Sequence, residues 1–267
     1  MNAAEQPELD TVSLERDGHV LMIGLNRPGK RNAFNLAMLA DLSRAYALLE
    51  TDDALRVGVL TAHGEHFTAG LDLVDVGPNI ASGVIPFPEG GRDPWRLDGE
   101  WTKPIVAAAQ GRCLTLGIEL LLASDIRIAA ATTRFAQLEV QRGIYPFGGA
   151  TLRFPRQSGW GNAMRWLLTG DEFGAEEAHR IGLIQEIARD AAAAQDRALE
   201  IAHTIADRAA PLGVRATLAS AHLARTSGDD AAIEWLRPEV TKLFATADAA
   251  EGVQSFVERR EARFQGR

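Results

Sequence analysis

The strongest constraint on the fold is an alternation along the first 130 residues between short β-branched runs and stretches with helical periodicity. Thr11–Arg16 and His19–Asn26 flank Asp17-Gly18, a pair suited to a tight hairpin turn, and Arg27-Pro28-Gly29 ends the second strand. Asn35 can cap a helix from about Leu36 to Glu50, in which Met38, Leu39, Leu42, Tyr46 and Leu49 form one apolar stripe. Val57–Thr61 reads as a buried strand, as does Ile105–Ala109 after Pro104. Gly117–Ser124 reads as a buried helix and Ile126–Ala129 as the next strand. Strand, helix, strand in this order predicts an α/β core with crossover connections.

The rest of the chain departs from that alternation in two places. Leu71–Lys103 carries Pro78, Pro86, Pro88 and Pro94 together with five glycines, and reads as a long, partly irregular segment. Long irregular segments in compact domains are usually functional. After about Arg189 the pattern is helical: Ala191–Ala210, then Leu212–Thr226, with Pro211 and Pro238 expected to separate successive helices, and Glu251–Arg263 as a last helix. The expected division is an α/β core over residues 1–189 and a smaller helical region over 190–267.

Composition narrows the function classes. With 28 Lys plus Arg against 36 Asp plus Glu the net charge is −8. That argues against a nucleic-acid coat and against an anionic membrane surface as the main partner. No apolar run approaches the ~20 residues of a membrane-spanning helix. Met1–Asp10 is acidic and does not read as a signal peptide. The single cysteine, Cys113, cannot form an internal disulfide and fits a reducing cytoplasm.

Three segments carry chemistry. In Gly111–Asp125 a glycine-punctuated turn leads into an apolar helix with Glu119 in its first turn. An acid in such surroundings is expected to be buried, and buried acids need a partner or a role. The free N–H groups of the helix start are suited to developing negative charge. In Phe135–Gly149, Glu139 follows Glu119 by 20 residues, so two carboxylates with one strand between them can converge on a cleft. One would take a proton while the other gives one. Taken alone, Glu139 reads rather as an exposed loop acid. In His63–Leu73, the pair Ala69-Gly70 follows a strand and allows close approach of a ligand to the backbone.

Together these segments resemble the crotonase (enoyl-CoA hydratase/isomerase) family. The resemblance runs from Asn26-Arg-Pro-Gly-Lys-Arg-Asn-Ala-Phe-Asn35 through Phe67-Thr-Ala-Gly-Leu-Asp72 and Lys103-Pro-Ile-Val-Ala-Ala-Ala-Gln-Gly111. It continues through Gly117-Ile-Glu-Leu-Leu-Leu-Ala-Ser-Asp125 and the Glu139 segment to Glu251–Arg260, Phe264 and Gly266. It covers nearly the whole chain.

What the resemblance implies is a spiral of ββα units with a helical C-terminal region that mediates trimers, which can pair into hexamers. It implies an acyl-CoA substrate whose thioester oxygen is held by two backbone N–H groups, by position those of Leu71 and Leu116. Glu119 and Glu139 fall on the family's two catalytic glutamates, and keeping both is the mark of its hydratases, which add water to a 2-enoyl-CoA. Coenzyme A then belongs to the substrate, and no separate cofactor or metal is expected. Ala69, Gly70 and Asp72 fall beside the thioester. Lys30, Arg31 and Arg259 are candidates for the CoA phosphates. Two other readings stand beside hydration. One is another reaction on the same enolate (isomerisation, hydrolysis or carbon–carbon cleavage), and the other is a crotonase-like protein that binds acyl-CoA without catalysis. The chain departs from the family at Thr115-Leu116-Gly117, where three glycines are usual. A β-branched residue there restricts the turn and reshapes the acyl tunnel.

Among residues outside these motifs, Asp125 is expected to serve a structural hydrogen bond and Cys113 to be buried. Trp95, Trp101, Trp160 and Trp166 are expected in the core or an interface, and Arg153, Arg156 and Arg165 on a solvated helix face.

Overall fold

The computed structural model describes residues 7–83 and 87–267. Met1–Gln6 of the N-terminal expectation, and Pro86 of the irregular segment, lie outside the described residues. In chain order the elements are β1 (Val12–Asp17), β2 (Val20–Leu25), α1 (Leu36–Thr51), β3 (Val57–Ala62), α2 (Leu73–Ala81), β4 (Ile105–Ala109) and β5 (Arg112–Leu114). They continue with α3 (Leu116–Ala123), β6 (Ile126–Ala130), β7 (Arg134–Ala136), α4 (Ala150–Ser158), α5 (Trp160–Thr169), β8 (Phe173–Gly174), α6 (Ala175–Arg180) and β9 (Glu186–Ala188). Four helices close the chain: α7 (Ala191–Arg208), α8 (Pro211–Ser227), α9 (Asp229–Phe244) and α10 (Ala247–Glu258).

Two sheets organise the core. The larger runs β1-β2-β3-β4-β6-β9, antiparallel only at the β1–β2 hairpin, and the smaller runs β5-β7-β8. The chain serves both sheets in turn. β4 enters the large sheet and β5 the small one, then β6 the large and β7 the small. Each such unit therefore ends in the small sheet, and the segments that carry Glu119 and Glu139 start where β5 and β7 leave it. The α/β core with crossovers expected from the alternation is what forms.

The apolar patterns account for the packing. β3 and β4 are buried along their whole length, as parallel strands covered on both faces must be. One face meets α1, whose capping Asn35 side chain accepts from the Met38 N–H at 3.0 Å. The other meets α7 through Ala194, Ala198, Ala202 and Ala206, which pack on Val57, Val59, Val106 and Ile128. The alanines of α7 are a close-approach face, which explains the Ala-rich composition there. Lys103 crosses this layer fully buried, its Nζ donating to the carbonyls of Leu49 at 2.6 Å and Asp52 at 2.7 Å.

Three expectations need correction. The irregular segment after Leu71 contains a helix, α2, which tolerates Pro78 in its interior. Pro238 does not separate two helices; it lies inside α9, which pairs with α8. Packing against a neighbour offsets the one backbone bond that a proline removes. The last helix begins earlier and ends earlier than Glu251–Arg263, because Thr246 caps it through the Ala249 N–H and Arg259 turns left-handed with φ 56°. No helix among the described residues is long and apolar enough to cross a membrane.

Candidate active site

The site is built from two backbone crossings. After β3 the chain passes Thr68, Ala69 and Gly70 beside the β5 strand. Gly70 has φ +94°, a conformation that suits glycine. Its carbonyl accepts from Phe34 N at 2.8 Å, and Asp72 N donates to Phe34 O at 2.8 Å. Because residues 70 and 72 face Phe34, the intervening Leu71 N–H points the other way, into the crevice that its residue lines. The second crossing is the entry to α3. Ile118 N and Glu119 N both donate to Thr115 O, so the N–H groups of Leu116 and Gly117 are the ones left unbonded by helix geometry. The two expected donors, Leu71 and Leu116, therefore border one crevice.

Thr115 holds an uncommon conformation. Its φ is 51° and its ψ −116°, a region that a β-branched residue rarely adopts. Its side chain lies against Gly70, where a Cβ would come within 2.0 Å of Thr115 Oγ1. Only glycine fits at position 70 because Thr115 occupies position 115. The Thr115 hydroxyl is buried and finds no hydrogen-bond partner among the described residues. Strain and an unpaired polar atom thus coincide at the start of the helix that offers the second donor.

Glu119 is fully buried in the first turn of α3. One carboxylate oxygen accepts from Ala150 N at 3.0 Å, and the other has no partner among the described residues. Gly148 lies so close that a Cβ there would come within 2.6 Å of Glu119 Oε2. Glu139 opens a 3-10 turn after β7, is 4% exposed, and has neither carboxylate oxygen bonded. Burial pushes the carboxyl of Glu119 up to about 7, opposed by backbone N–H groups at Ala150 and Gly148 and by the Arg153 charge. Burial also raises Glu139 to about 7, opposed by a backbone bond and reinforced by the nearby charge of Glu119. The charge of Glu119 thus reaches Glu139. Near neutral pH such a pair can hold one proton, the state an acid–base couple needs.

Two cavities meet at Leu71, Leu116 and Phe147. One, of about 210 Å³, is lined by Ala69, Thr115, Glu139 and Arg142 among others. The other, of about 250 Å³, is apolar and runs under α2 to Phe87, Trp95 and Leu97.

The remaining candidates fall in different places. Asp72 receives both terminal nitrogens of Arg27 at 3.1 Å, an ion pair that fixes the loop and turns its carboxylate away from ligand duty. Ala69 N donates to Arg31 O, so Arg31 supports the loop through its backbone while its side chain is exposed. Lys30 and Arg259 are also exposed, and none of these three cations lines either cavity. Asp125 has the structural role expected of it, bound to Arg96 at 3.0 Å and to Ile105 N at 2.8 Å.

Sequence reasoning misplaced one residue. Arg153 is not on a solvated face: it is buried, with Nη2 donating to Arg96 O at 2.7 Å, close to the Gly148–Gly149 turn. Its spacing from Arg156 gave no signal, since a helix face is read from apolar periodicity and α4 is short. Trp95 is buried in the core as expected, and it also belongs to the apolar cavity wall, a role not read from the sequence, with its Nε1 donating to Leu116 O at 3.2 Å. Its position in the irregular segment was the signal that could have found it.

Comparison with known proteins assigns the family. The family model described as enoyl-CoA hydratase/isomerase matches residues 15–267. The chain belongs to that family. It is 34% identical over 262 residues to an enoyl-CoA hydratase of Mycobacterium tuberculosis, covering 95% of this chain and 96% of the relative. It is 35% identical over 256 residues to the (E)-benzylidenesuccinyl-CoA hydratase of Thauera aromatica, covering 96% and 99%. Among solved structures, a probable enoyl-CoA hydratase/isomerase from Mycobacterium abscessus is 56% identical with a TM-score of 0.95, covering 97% of this chain and 100% of that one. The crotonase-like fold expected from the motifs is thereby the fold of the chain.

Two measurements follow from the site's strain and burial. Thr115→Gly should raise stability by about 1 kcal/mol, because the relief of a strained φ and of an unpaired hydroxyl exceeds the entropy that glycine loses on folding. Urea unfolding at fixed protein concentration reads this, and a loss of stability would show that the Thr115–Gly70 contact outweighs the strain. The second concerns pH. A carboxyl whose folded pKa lies above its unfolded value binds protons more tightly when folded, so its contribution to stability is lost as pH rises from about 4.5 to about 7. Glu119→Gln removes that loss. Relative to the wild type it should gain about 2 kcal/mol between pH 5 and pH 8, and an unchanged difference across that range would contradict a buried, raised Glu119.

Proposed function

We propose that the chain is an enoyl-CoA hydratase that adds water, syn, across the 2,3 double bond of an acyl-CoA. The observation that carries this is the pair of buried acids with three unbonded carboxylate oxygens, beside a crevice bordered by the backbone of Leu71 and Leu116. In this reading the thioester oxygen accepts from the Leu71 and Leu116 N–H groups, which stabilise the enolate that forms on water addition. The donors are backbone atoms, so Leu at both positions is compatible with the role. Glu119, already oriented by the Ala150 N–H, takes the proton from a water held between the carboxylates. Glu139 gives a proton to the α carbon. The raised pKa of both acids suits this exchange near neutral pH.

Coenzyme A arrives as part of the substrate, and the reading asks for no further cofactor or metal. Lys30, Arg31 and Arg259 are the exposed cations assigned to its phosphates, and Ala69 and Gly70 let the thioester approach the backbone. The assembly proposed is a homotrimer or a pair of trimers. It is supported by an apolar surface on α9 and α10 that a lone chain would leave in water, including Ile233, Phe244, Val253 and Phe256. A cytoplasmic site of action accords with one buried, unpaired cysteine.

Hydration removes the conjugated enoyl-thioester absorbance. Wild-type protein should abolish that absorbance, and Glu139→Gln should lower kcat by about 10²–10⁴ while retaining acyl-CoA binding by calorimetry. Full activity in the variant would remove Glu139 from the chemistry. Light scattering should give a particle of three or six chains of 28.8 kDa, and a monomer at micromolar concentration would defeat the assembly.

A further inference from the structure

The apolar cavity beyond Leu71 and Leu116 has a size and a charge pattern that limit what it can take. It holds about 250 Å³ and is walled by Val76 and Ile80 of α2, by Phe87, Trp95 and Leu97 of the following segment, and by Phe147. A dry cavity of about 150 Å³ with comparable apolar walls is enough to bind benzene. The wall is also set in advance. Trp95 donates its indole N–H to Leu116 O at 3.2 Å, its backbone N–H to Asp93 Oδ1 at 2.9 Å, and packs edge-on against Phe34 at 5.7 Å. Leu116 joins this wall to the residue whose N–H is assigned to the thioester, so a group entering the cavity is a continuation of the acyl chain.

The polar residues that line the cavity are acids. Asp93 is buried, and its two oxygens already accept from Trp95 N and from Leu97 N. Asp98 is exposed at the edge. Among the described residues no Lys, Arg or His lines the space, and Arg153 behind it is turned to the Arg96 carbonyl. A terminal carboxylate on the acyl chain would meet two acids and, among the described residues, no lining cation, which costs heavily in an apolar site.

Resting on the hydratase reading, we propose that the acyl group taken by this site carries an uncharged apolar tail, the size of a phenyl ring or larger, beyond the reacting double bond. An alkyl tail and an aryl tail share that chemistry. Each methylene that moves from water into the cavity should raise kcat/KM by up to about fourfold. A tail of one methyl group fills little of the space.

The test is kcat/KM of the wild-type protein on four 2-enoyl-CoAs: crotonyl-CoA, 2-decenoyl-CoA, cinnamoyl-CoA, and a 2-decenoyl-CoA that ends in a carboxylate. At least a tenfold advantage over crotonyl-CoA is expected for decenoyl-CoA, for cinnamoyl-CoA or for both. Which of the two leads decides between alkyl and aryl. The carboxylated chain should fall at least tenfold below decenoyl-CoA and should recover severalfold in Asp98→Lys. Ile80→Trp, which narrows the cavity at a partly exposed position, should cut the ratio of the preferred long substrate to crotonyl-CoA by about tenfold. Crotonyl-CoA as the best substrate would overturn the tail size, and equal rates with and without the carboxylate would overturn its neutrality. If none is hydrated, the reading of the reaction fails by itself. The tail is then decided by calorimetry, where equal affinity for butyryl-CoA and decanoyl-CoA overturns it.

Discussion

A carboxylate taken out of water must be held by something, and in this chain Glu119 is held by the Ala150 N–H, which donates to it at 3.0 Å. That contact joins the start of α3 to the start of α4 and places the acid under the Gly148–Gly149 turn. The turn is tight because side chains crowd it. A Cβ at Gly148 would strike Glu119, and one at Gly149 would come within 2.4 Å of Arg153 Nη1. The same Arg153 charge favours the ionised form of Glu119, while burial favours the protonated one. The acid is therefore balanced between two protonation states by its burial and by groups of the 148–153 segment, whose Ala150 lies 31 residues on in sequence. Its partner Glu139 is opposed in the same way only by its own backbone N–H, and the charge of Glu119 raises it further.

The topology explains why these segments converge. Strands alternate between a large sheet and a small one, so the chain crosses from one sheet to the other after β4 and again after β6. Each passage into the small sheet ends at the same edge of the molecule, where β5 leads into α3 and β7 leads into the 3-10 turn of Glu139. The pairing of β5 with β7, Cys113 opposite Phe135 and Leu114 opposite Ala136, sets Glu119 and Glu139 on neighbouring paths. The Thr115 N–H donates to Ala136 O at 2.9 Å, which extends that pairing into the turn that begins α3. Twenty residues of sequence separation thus become adjacency through one short parallel pair of strands.

How much of this could be read from the sequence depended on whether the signal was local. The hairpin at Asp17-Gly18, the Asn35 cap, and strands β3, β4 and β6 are local patterns, and they lie where the patterns place them. The glutamate pair was legible only through the order of several motifs, because a lone Glu139 has the appearance of a loop acid. Arg153 was misread because its burial is decided by a partner 57 positions away, the Arg96 carbonyl, and no window of sequence contains both. Pro238 was misread because a proline's cost is local while its compensation, the packing of α9 on α8, is not.

Thr115-Leu116 shows how this architecture separates chemistry from selectivity. The assigned donors are backbone N–H groups, so the side chains that carry them are free to vary as long as the backbone keeps its direction. Thr115 meets that condition by adopting a φ of 51°, with its side chain against Gly70. Leu116 uses the freedom differently: its side chain lines both cavities, and its carbonyl anchors Trp95 in the wall of the larger one. One residue therefore presents a main-chain N–H to the crevice and shapes, through its side chain and carbonyl, the space beyond it. A change of side chain at 116 would redraw the cavity while leaving the donor in place. The buried acid pair lies on other elements and would keep its geometry. In the proposed reaction, selectivity for the acyl group can then shift without rebuilding the acid pair assigned to proton transfer.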